Sequence, residues 1–361
     1  MRTLLVGLLL ALAPVGSPAG TASAAEPTAD DDSWVDVGPT GYDTKRLVLA
    51  SACSEACPWG ELGDFLRDAM ARDGYEIILC RNCNRAEGPR IVGRASFPPP
   101  LVEDDLRHGT TQRVKAPIDF GITELGMMAW AYRGEHLYAK DGPFRNLRII
   151  ARIEDPTYLL VAVKPELGIS SLAEIRERKL PVRIITDFQP TAMPVLEYYG
   201  LTKEALESWG GALLPTKDVS GTTPFDVVVS SLASPANNPE SAFWTTLTVH
   251  HQLQFLDLPD ELLDRLVMDA GMVRATARWG FLRGVDRNIA TVGRSGEAVF
   301  ARDDMPDEIA YAIARAIDRD RGELKWFVRP YSLEPRTVAD GAGVPLHPGA
   351  ARYYREQKYI P

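Results

Sequence analysis

Residues 46–83, RLVLASACSEACPWGELGDFLRDAMARDGYEIILCRNC, decide the fold that this chain can adopt. Positions 47–50 are a short apolar run bounded by turn residues, which predicts a buried strand. Five apolar residues then recur at the spacing of one helical face: Leu62, Phe65, Leu66, Ala69 and Met70. An Asp-Gly pair ends this helix before a second apolar run at 75–79. Strand, helix and strand in this order indicate a parallel βαβ unit with a right-handed crossover.

Polar side chains that directly follow predicted strands are the candidates for ligand contact. In open α/β sheets, ligands bind beyond the carboxyl ends of the strands, and a binding site needs a few convergent polar groups. The predicted ligand-binding residues are Glu55, Trp59, Arg81, Arg94, Thr123, Glu124, Thr186, Asp187, Gln189, Thr191, Ser230 and Ser231. An anionic solute would require an arginine fork within this set. Each residue alone is also an ordinary turn or cap residue, so the prediction depends on the set.

The amino-terminal residues predict export. Arg2 precedes an apolar run at 4–12, and an A-x-A cleavage motif ends near Ala24-Ala25. The run is too short to span a bilayer, so it predicts a cleaved signal peptide and a secreted or periplasmic protein. Removing residues 1–25, which hold one arginine and no acidic residue, takes the net charge from −9 to −10. An acidic chain without basic clusters argues against nucleic acid and anionic membranes as partners.

Length and patterning predict two α/β lobes. The 361 residues exceed one typical domain, and the strand–polar turn–helix pattern of the first third returns in the middle third. The predicted division is a signal peptide at 1–25, a disordered leader at 26–44, lobe 1 at 45–153 and 290–361, and lobe 2 at 154–289. Strand-like pieces at 289–292 and 298–300 would return the chain to lobe 1. The chain would then cross twice between the lobes, which leaves a cleft that can close around a ligand by hinge motion.

Four motifs, in order along the chain, resemble those of the TAXI family, the solute-binding subunits of one branch of TRAP transporters. They are DFGI at 119–122, GISSLAEI at 168–175, MPDEIAY at 305–311 and PLHPGA at 345–350. The resemblance implies a two-lobed periplasmic binding protein type II fold with two crossovers between the lobes. Two ligand-contact loops depart from the family pattern. ACPWG at 56–60 stands where the family has Gly-Gly-Thr-Tyr-Tyr, and DFQPT at 187–191 replaces a Gly-Ser-Gly turn.

The four cysteines all follow the first two predicted strands: Cys53, Cys57, Cys80 and Cys83. An exported chain with an even number of cysteines normally forms disulfides, and three connectivities are open here. A zinc site with four cysteine ligands also fits the spacing, although oxidation competes with it outside the cytosol. A redox-active Cys57 near a helix N-terminus is a further alternative. Reactive dithiols there usually have two intervening residues rather than three, so disulfides are the prediction.

The sequence predicts a non-enzymatic binding protein without cofactor or metal. It contains no Gly-x-Ser-x-Gly, no P-loop, no His-Glu-x-x-His and no convincing pair of catalytic carboxylates. The predicted function is capture of a small metabolite, with an anion as one option, for the membrane subunits of a TRAP-type transporter. Two alternatives remain open: a sensor or adaptor on the same scaffold that does not serve transport, and a thiol–disulfide enzyme that uses Cys57.

Overall fold

The computed structural model describes residues 32–51, 58–83, 87–107, 109–154, 157–187, 191–233, 242–324 and 333–361. The predicted signal peptide and residues 26–31 of the predicted leader lie outside these ranges. The strands are β1 (Trp34–Val35), β2 (Arg46–Ala50), β3 (Glu76–Cys80), β4 (Arg113–Val114), β5 (Phe120–Glu124), β6 (Leu147–Ile153), β7 (Thr157–Val163), β8 (Arg183–Thr186), β9 (Ala212–Pro215), β10 (Val227–Ala233), β11 (Gln254–Phe255), β12 (Val273–Ala277), β13 (Ile289–Gly293) and β14 (Glu297–Arg302).

Helices alternate with these strands along most of the chain. They are α1 (Pro58–Ala71), α2 (Gly88–Gly93), α3 (Glu103–Arg107), α4 (Leu125–Arg133), α5 (Ala173–Arg178), α6 (Met193–Tyr198), α7 (Lys203–Ser208), α8 (Ala242–His250), α9 (Asp260–Ala270), α10 (Asp307–Arg319) and α11 (Pro348–Glu356). Single 3-10 turns add Tyr42–Thr44, His136–Tyr138, Pro165–Leu167 and Thr216–Asp218.

The first sheet has the strand order β3-β2-β5-β14-β6. The predicted βαβ unit is confirmed, because β2 and β3 pair in parallel and α1 connects them. β5 continues the parallel part of the sheet beside β2. β14 enters between β5 and β6 and runs antiparallel to both. The sheet is therefore mixed, and its fourth strand comes from much later in the chain than its neighbours.

The second sheet has the order β12-β13-β7-β10-β8-β9, with β11 paired to β7 outside this path. β8 pairs in parallel with both β9 and β10. β7 pairs antiparallel with β10 over seven residue pairs, from Thr157 opposite Ala233 to Val163 opposite Val227. β12 and β13 form an antiparallel hairpin at the other side of β7. The described residues thus contain a second mixed sheet.

The chain crosses between the two sheets twice. The first crossing follows the end of β6 at Ile153 and leads to β7, and the second, residues 294–296, joins β13 to β14. The prediction that 289–292 return to lobe 1 is wrong, because β13 pairs with β12 and β7 in the second sheet. The predicted fold class, a two-lobed α/β fold with two crossovers, is confirmed. The lobe boundaries otherwise stay a prediction.

The core lies on both faces of each sheet, as parallel strands require. The five apolar residues of the predicted α1 face are at most 2% exposed, and they pack against α10 in one cluster with β2 and β5. α2 and α4 cover the other face of the first sheet. The apolar repeat in α10, which includes Ile309, Ile313 and Ile317, is buried as predicted. Because one face of α1 and of α10 is buried against the core, apolar residues recur there at helical spacing, and this spacing predicts both helices.

The carboxyl-terminal segment protects the edge of the first sheet at β6. The Ile149 N–H donates to Pro345 O at 2.9 Å, and the His347 N–H donates to Ile149 O at 2.7 Å. His347 is fully buried, and its Nδ1 accepts from the Gly349 N–H at 3.2 Å at the start of α11. The PLHPGA motif therefore covers an edge strand that would otherwise leave hydrogen-bonding groups unpaired.

The predicted leader is structured in its described part, which corrects the prediction of disorder up to residue 44. β1 pairs in parallel with β4. Arg46 Nη1 donates to Val37 O at 2.9 Å and to Pro39 O at 2.8 Å. Tyr42 accepts a hydrogen bond from Arg302 Nη2 at 3.0 Å. These contacts order a segment whose acidic composition suggested that it could not pack.

A buried carboxyl group lies at the amino end of β5. Asp119 is 7% exposed, and its Oδ2 accepts from the Val48 N–H at 2.8 Å. Burial raises the pKa of Asp119 to about 6, although the Val48 hydrogen bond and the nearby Arg302 oppose this shift. In the unfolded chain the group titrates near a pKa of about 3.9. The folded state therefore holds this proton up to a higher pH than the unfolded state does.

We expect Asp119 to make the folding free energy depend on pH. Between about pH 4 and pH 6 the folded state binds more protons, so its stability falls as the pH rises, by about 3 kcal/mol in total from this group. Asp119→Asn keeps an acceptor for Val48 and lacks the titration. Urea denaturation at pH 4 to 7 should show the variant gaining stability relative to the wild type as the pH rises. A difference that stays constant over this range would contradict the assignment.

Candidate functional site

The carboxyl ends of the parallel strands in lobe 1 lie where the chain leaves that lobe. Glu124, the last residue of β5, pairs with Glu297 at the start of β14. Glu297 also pairs with Ile153, the last residue of β6. β2 and β3 run parallel with β5, so their carboxyl ends lie on the same side of the sheet as that of β5. These strand ends therefore adjoin both crossings.

The parallel strands of lobe 2 end beside the same crossings. Ala233, at the end of β10, pairs with Thr157, the first residue after the first crossing. Gly293, the last residue before the second crossing, pairs with Tyr158. β8 runs parallel with β10 and ends at the same edge. The strand tips of both lobes thus meet the region between the lobes, as the sequence predicts.

Lobe 2 brings five of the predicted site residues together. Asp187 Oδ2 accepts from Ser230 Oγ at 3.0 Å and from the Ser231 N–H at 2.8 Å. Ser231 Oγ lies 2.9 Å from Thr191 Oγ1, and either hydroxyl can donate. Thr186 is fully buried directly before Asp187, and its strand pairs with β10. These groups form a carboxylate–hydroxyl cluster that can accept and donate hydrogen bonds.

Trp244 supports this cluster from the helix α8. Its Nε1 donates to Ser231 O at 3.0 Å, and its side chain is fully buried. Its ring stacks on Phe255 with 5.9 Å between ring centroids. The backbone at Ser231 is therefore held by a rigid aromatic group. Sequence reasoning missed Trp244 because it lies 13 residues further along the chain, within a helix.

Ser51 is a polar residue of lobe 1 that is absent from the predicted ligand-binding residues. It follows β2 directly, is fully buried, and its N–H donates to Cys80 O at 2.9 Å. Its Oγ has no hydrogen-bond partner among the described residues. The hydroxyl lies against Gly63 of α1, where a Cβ atom would come within 2.8 Å of it. Gly63 therefore makes room for a polar group beneath the first turns of α1.

Arg81 does not present an open fork for an anion. Its Nη2 and Nη1 lie 2.8 Å and 3.1 Å from the two carboxylate oxygens of Asp64 on α1. This bidentate pair occupies the geometry that a bound carboxylate would use. The Arg81 carbonyl in turn accepts from the buried Arg113 at 3.1 Å. The expectation that Arg81 could supply an anion fork is therefore wrong for this conformation.

Arg94 lies at the other end of the first sheet, where β5 and β6 begin. It follows α2, and its Nη2 lies 2.6 Å from Asp141 Oδ1. The neighbouring Ser96 O accepts from the Ile118 N–H, which precedes the amino end of β5. Asn146, just before β6, donates to Gly93 O at 2.8 Å. The prediction that Arg94 belongs to the site is wrong, because Arg94 follows the helix α2 and not the carboxyl end of a strand.

Thr123 and Glu124 are the last two residues of β5, whereas the sequence predicts that they follow a strand. Thr123 is 2% exposed and pairs with Ala298. It is a strand residue, and Glu124 rather than Thr123 stands directly before α4. Glu124 Oε1 lies 3.7 Å from Arg294 Nε in the second crossing. The tip of β5 is thus in contact with the segment that connects the lobes.

The second crossing caps the helix α4. The Leu125 N–H donates to Gly296 O at 2.8 Å, and the Gly126 N–H donates to Ser295 Oγ at 3.0 Å. The first N–H groups of a helix have no acceptor within the helix, so an external acceptor is required. No local sequence signal identifies Ser295 as a cap, because it lies 169 residues from Gly126.

Two glycines bring the lobes into direct contact. A Cβ on Gly126 of α4 would lie 2.5 Å from the carbonyl oxygen of Gly271, which follows α9. A Cβ on Gly271, whose φ is +65°, would meet the Trp130 ring at 3.2 Å. Only glycine fits this approach without a shift of backbone. Lobe 1 and lobe 2 therefore touch beside the second crossing.

Several predicted site residues lie outside the described part of the chain. They are Glu55, Gln189, Cys53 and Cys57, together with the side chain of Trp59. Cys80 and Cys83 form a disulfide with 5.6 Å between their Cα atoms. The predicted use of cysteines in disulfides is thus confirmed for this pair, and neither of the two can bridge to the first loop.

The described residues also bear on metal sites, membrane spans and cavities. They contain no group of three or more His, Cys, Asp or Glu side chains that could hold a metal ion. No helix within the described ranges has the length and apolar character needed to cross a membrane. A cavity of about 250 Å3 lies between α6 and α9, where Tyr198, Leu262 and Arg265 line it. None of the predicted site residues lines that cavity.

We expect the Gly126–Gly271 contact to set the angle between the lobes. Gly126→Ala places a methyl group against a carbonyl oxygen, so either the lobes move apart or the fold loses about 1–3 kcal/mol. Small-angle X-ray scattering and urea denaturation measure the two outcomes. Gly322→Ala is the matched control, because nothing lies within 4 Å of its Cβ position. An unchanged scattering profile with unchanged stability would refute the contact.

We expect the Cys80–Cys83 disulfide to stabilise the tip of β3. Cross-linking a loop of four residues corresponds to about 2 kcal/mol in the chain-entropy model. A Cys80→Ser/Cys83→Ser double variant should lose about this amount of unfolding free energy in urea. Dithiothreitol should lower the unfolding free energy of the wild type more than that of the double variant. Equal stability of both proteins under oxidising conditions would argue against the bond.

Comparisons with known proteins give one family match and several distant structural similarities. The NMT1-like family model matches residues 112–357, well over half of the chain. A TctC solute-binding protein from Polaromonas is 12% identical with a TM-score of 0.44, covering 89% of this chain and all of that one. Periplasmic binding protein BugD is 10% identical with a TM-score of 0.40 and coverages of 87% and 94%.

A third solved structure is similar to the same extent. MatC from Rhodopseudomonas palustris, solved with bound malate, is 10% identical with a TM-score of 0.40, covering 87% of this chain and 96% of that one. The family match is of a different kind, because it covers residues from β4 to the end of α11. On that match, the chain belongs to the NMT1-like family.

Proposed function

We propose that this protein is an extracytoplasmic solute-binding protein that captures a small molecule between its two lobes. One observation carries the proposal: the carboxyl ends of the parallel strands in both sheets adjoin the same two crossings. Ligands of open α/β sheets bind at such ends. The Asp187–Ser230–Ser231–Thr191 cluster supplies convergent polar groups at this position.

The proposed solute is bound by hydroxyl and carboxylate groups of lobe 2 rather than by an arginine fork. Arg81 is paired with Asp64, and Arg94 lies at the far end of the sheet. The carboxylate of Asp187 favours a ligand that donates hydrogen bonds, such as an amine or a polyol. Neither Arg81 nor Arg94 therefore supports the predicted anionic solute.

The proposed cellular role is delivery of the solute to membrane subunits of a transporter. The amino-terminal signal motif supports export and cleavage near Ala24-Ala25. The four motifs that resemble the TAXI family support a TRAP-type transporter as the partner. Lobe closure around the solute would present one continuous surface from both lobes to that partner.

Thermal shift and calorimetry with a panel of amines, amino acids, polyols and carboxylates test the proposal. A ligand at 100 times its dissociation constant should stabilise the protein by about 2.7 kcal/mol. If no small solute shifts the melting temperature, the proposal of solute capture fails and the sensor or adaptor alternative is favoured. A gene for a TRAP membrane subunit next to this gene would separately support the transporter role.

We expect Asp187→Asn to weaken solute binding at least about tenfold, which corresponds to about 1.4 kcal/mol. The amide keeps one acceptor for Ser230 but removes the charge and one acceptor oxygen from the cluster. Titration calorimetry measures the affinity, and circular dichroism verifies folding. Glu207→Gln is the control, because it also replaces a carboxylate by an amide, and Glu207 is exposed on α7 in the same lobe, shortly before the amino end of β9. An equal loss of affinity in both variants would show that the solute does not bind at the Asp187 cluster.

A further inference from the structure

The loop between β12 and β13, residues 278–288, exposes a large aromatic side chain. Trp279 is 72% exposed, which is the highest value among the exposed large apolar residues of the described chain. Buried tryptophans such as Trp244, fully covered by the core, show that this protein can bury indole rings. Tryptophan is among the residue types enriched at the centres of protein interfaces.

The Trp279 loop, defined as residues 278–288, is held rigidly. The Trp279 N–H donates to Asn288 Oδ1 at 2.9 Å, and the Gly280 N–H donates to Val285 O at 3.0 Å. Leu282 and Val285 are 7% and 3% exposed and anchor the loop in the core of lobe 2. The tryptophan is therefore presented outward by a pre-organised loop, which lowers the entropic cost of binding.

The loop also contacts the region near the first crossing. Phe281 packs edge-on against Tyr158, with 5.2 Å between ring centroids. Tyr158 is the second residue of β7 and pairs with Leu232, near the end of β10. A partner bound at the Trp279 loop would thus touch lobe 2 close to the segment that connects it to lobe 1.

The Trp279 loop carries more basic than acidic residues. Arg278 and Arg283 are exposed, and neither makes an ion pair with any described residue. Arg287 differs, because it pairs with Asp257 at 2.8 Å and with Asp286 at 3.3 Å. The loop is therefore basic although the whole chain carries a net charge of −9. This local reversal of charge is complementary to an acidic surface.

We propose that the Trp279 loop is a docking surface for a protein partner that offers an apolar pocket for the indole, rimmed by carboxylates. Tryptophan and arginine are the residue types that most often dominate binding energy at protein interfaces. An anionic membrane is a poorer occupant. Two arginines attract it only weakly, and the acidic remainder of the chain is repelled. The proposal holds whichever solute the cleft binds.

Site-specific photocrosslinking in the native cells tests this surface. The full exported protein carries p-benzoylphenylalanine at position 279, and a control protein carries it at Met268, which is 67% exposed on α9. Irradiation should yield an adduct with one protein of acidic surface, and only from position 279. Arg278→Glu/Arg283→Glu in the same protein should lower the adduct yield at least about tenfold. Circular dichroism confirms that the variants fold.

Each other result overturns the proposal. Absence of an adduct, or an equal yield from position 268, would mean that the Trp279 loop has no protein partner. An adduct yield that is unchanged in the Arg278→Glu/Arg283→Glu variant would show that the partner has no acidic rim. Adducts with phospholipid, or co-sedimentation with vesicles of phosphatidylethanolamine and phosphatidylglycerol, would assign the loop to the membrane. An adduct with a second copy of this chain would assign it to self-association.

Discussion

The arrangement of the two lobes depends on the hydrogen bonds between the second crossing and the start of α4. Leu125 and Gly126 need acceptors for their N–H groups, and Gly296 O and Ser295 Oγ provide them. The connecting segment is therefore part of the structure of lobe 1 rather than a passive tether. Any rotation of lobe 2 that pulls on this segment must also disturb the first turn of α4. The contact between Gly126 and Gly271 adds a steric limit beside the same segment.

Many of the charges in lobe 1 stabilise its fold instead of facing a solute. Arg113 is 2% exposed, and its Nη2 lies 2.7 Å from Asp105 Oδ2. Arg81 is paired with Asp64 by two hydrogen bonds. A buried guanidinium that has lost its carboxylate is costly, so these pairs are difficult to release for ligand binding. The polar groups of lobe 2, by contrast, are hydroxyls around Asp187, and hydroxyls can exchange partners at small cost.

Elements with strong local patterns could be predicted from the sequence. The strand at 47–50, the helical face from Leu62 to Met70 and the parallel pairing of β2 with β3 follow from spacing alone. The convergence of Asp187, Ser230 and Ser231 was also predictable, because Asp187 follows β8, and Ser230 and Ser231 come directly after the residues of β10 that pair with β8. These predictions needed only short-range information.

The remaining features depend on contacts between distant residues. The cap of α4 joins positions 169 apart, and the partner of Arg81 lies on the preceding helix. Arg94 was misplaced because the Gly- and Pro-rich segment before β4 has no periodicity that reveals its course. The ordered leader was missed because its partners, such as Arg302, belong to the last strand of the sheet. Composition does not report such partners.

The insertion of β14 between β5 and β6 has a consequence for biosynthesis. All six residues of β14 are buried, and β5 and β6 both rely on it for their hydrogen-bond ladders. A growing chain that has emerged only as far as residue 296 cannot complete its first sheet. Such distant pairing slows acquisition of the native state. Lobe 1 can therefore complete its first sheet only after residue 302 has left the ribosome.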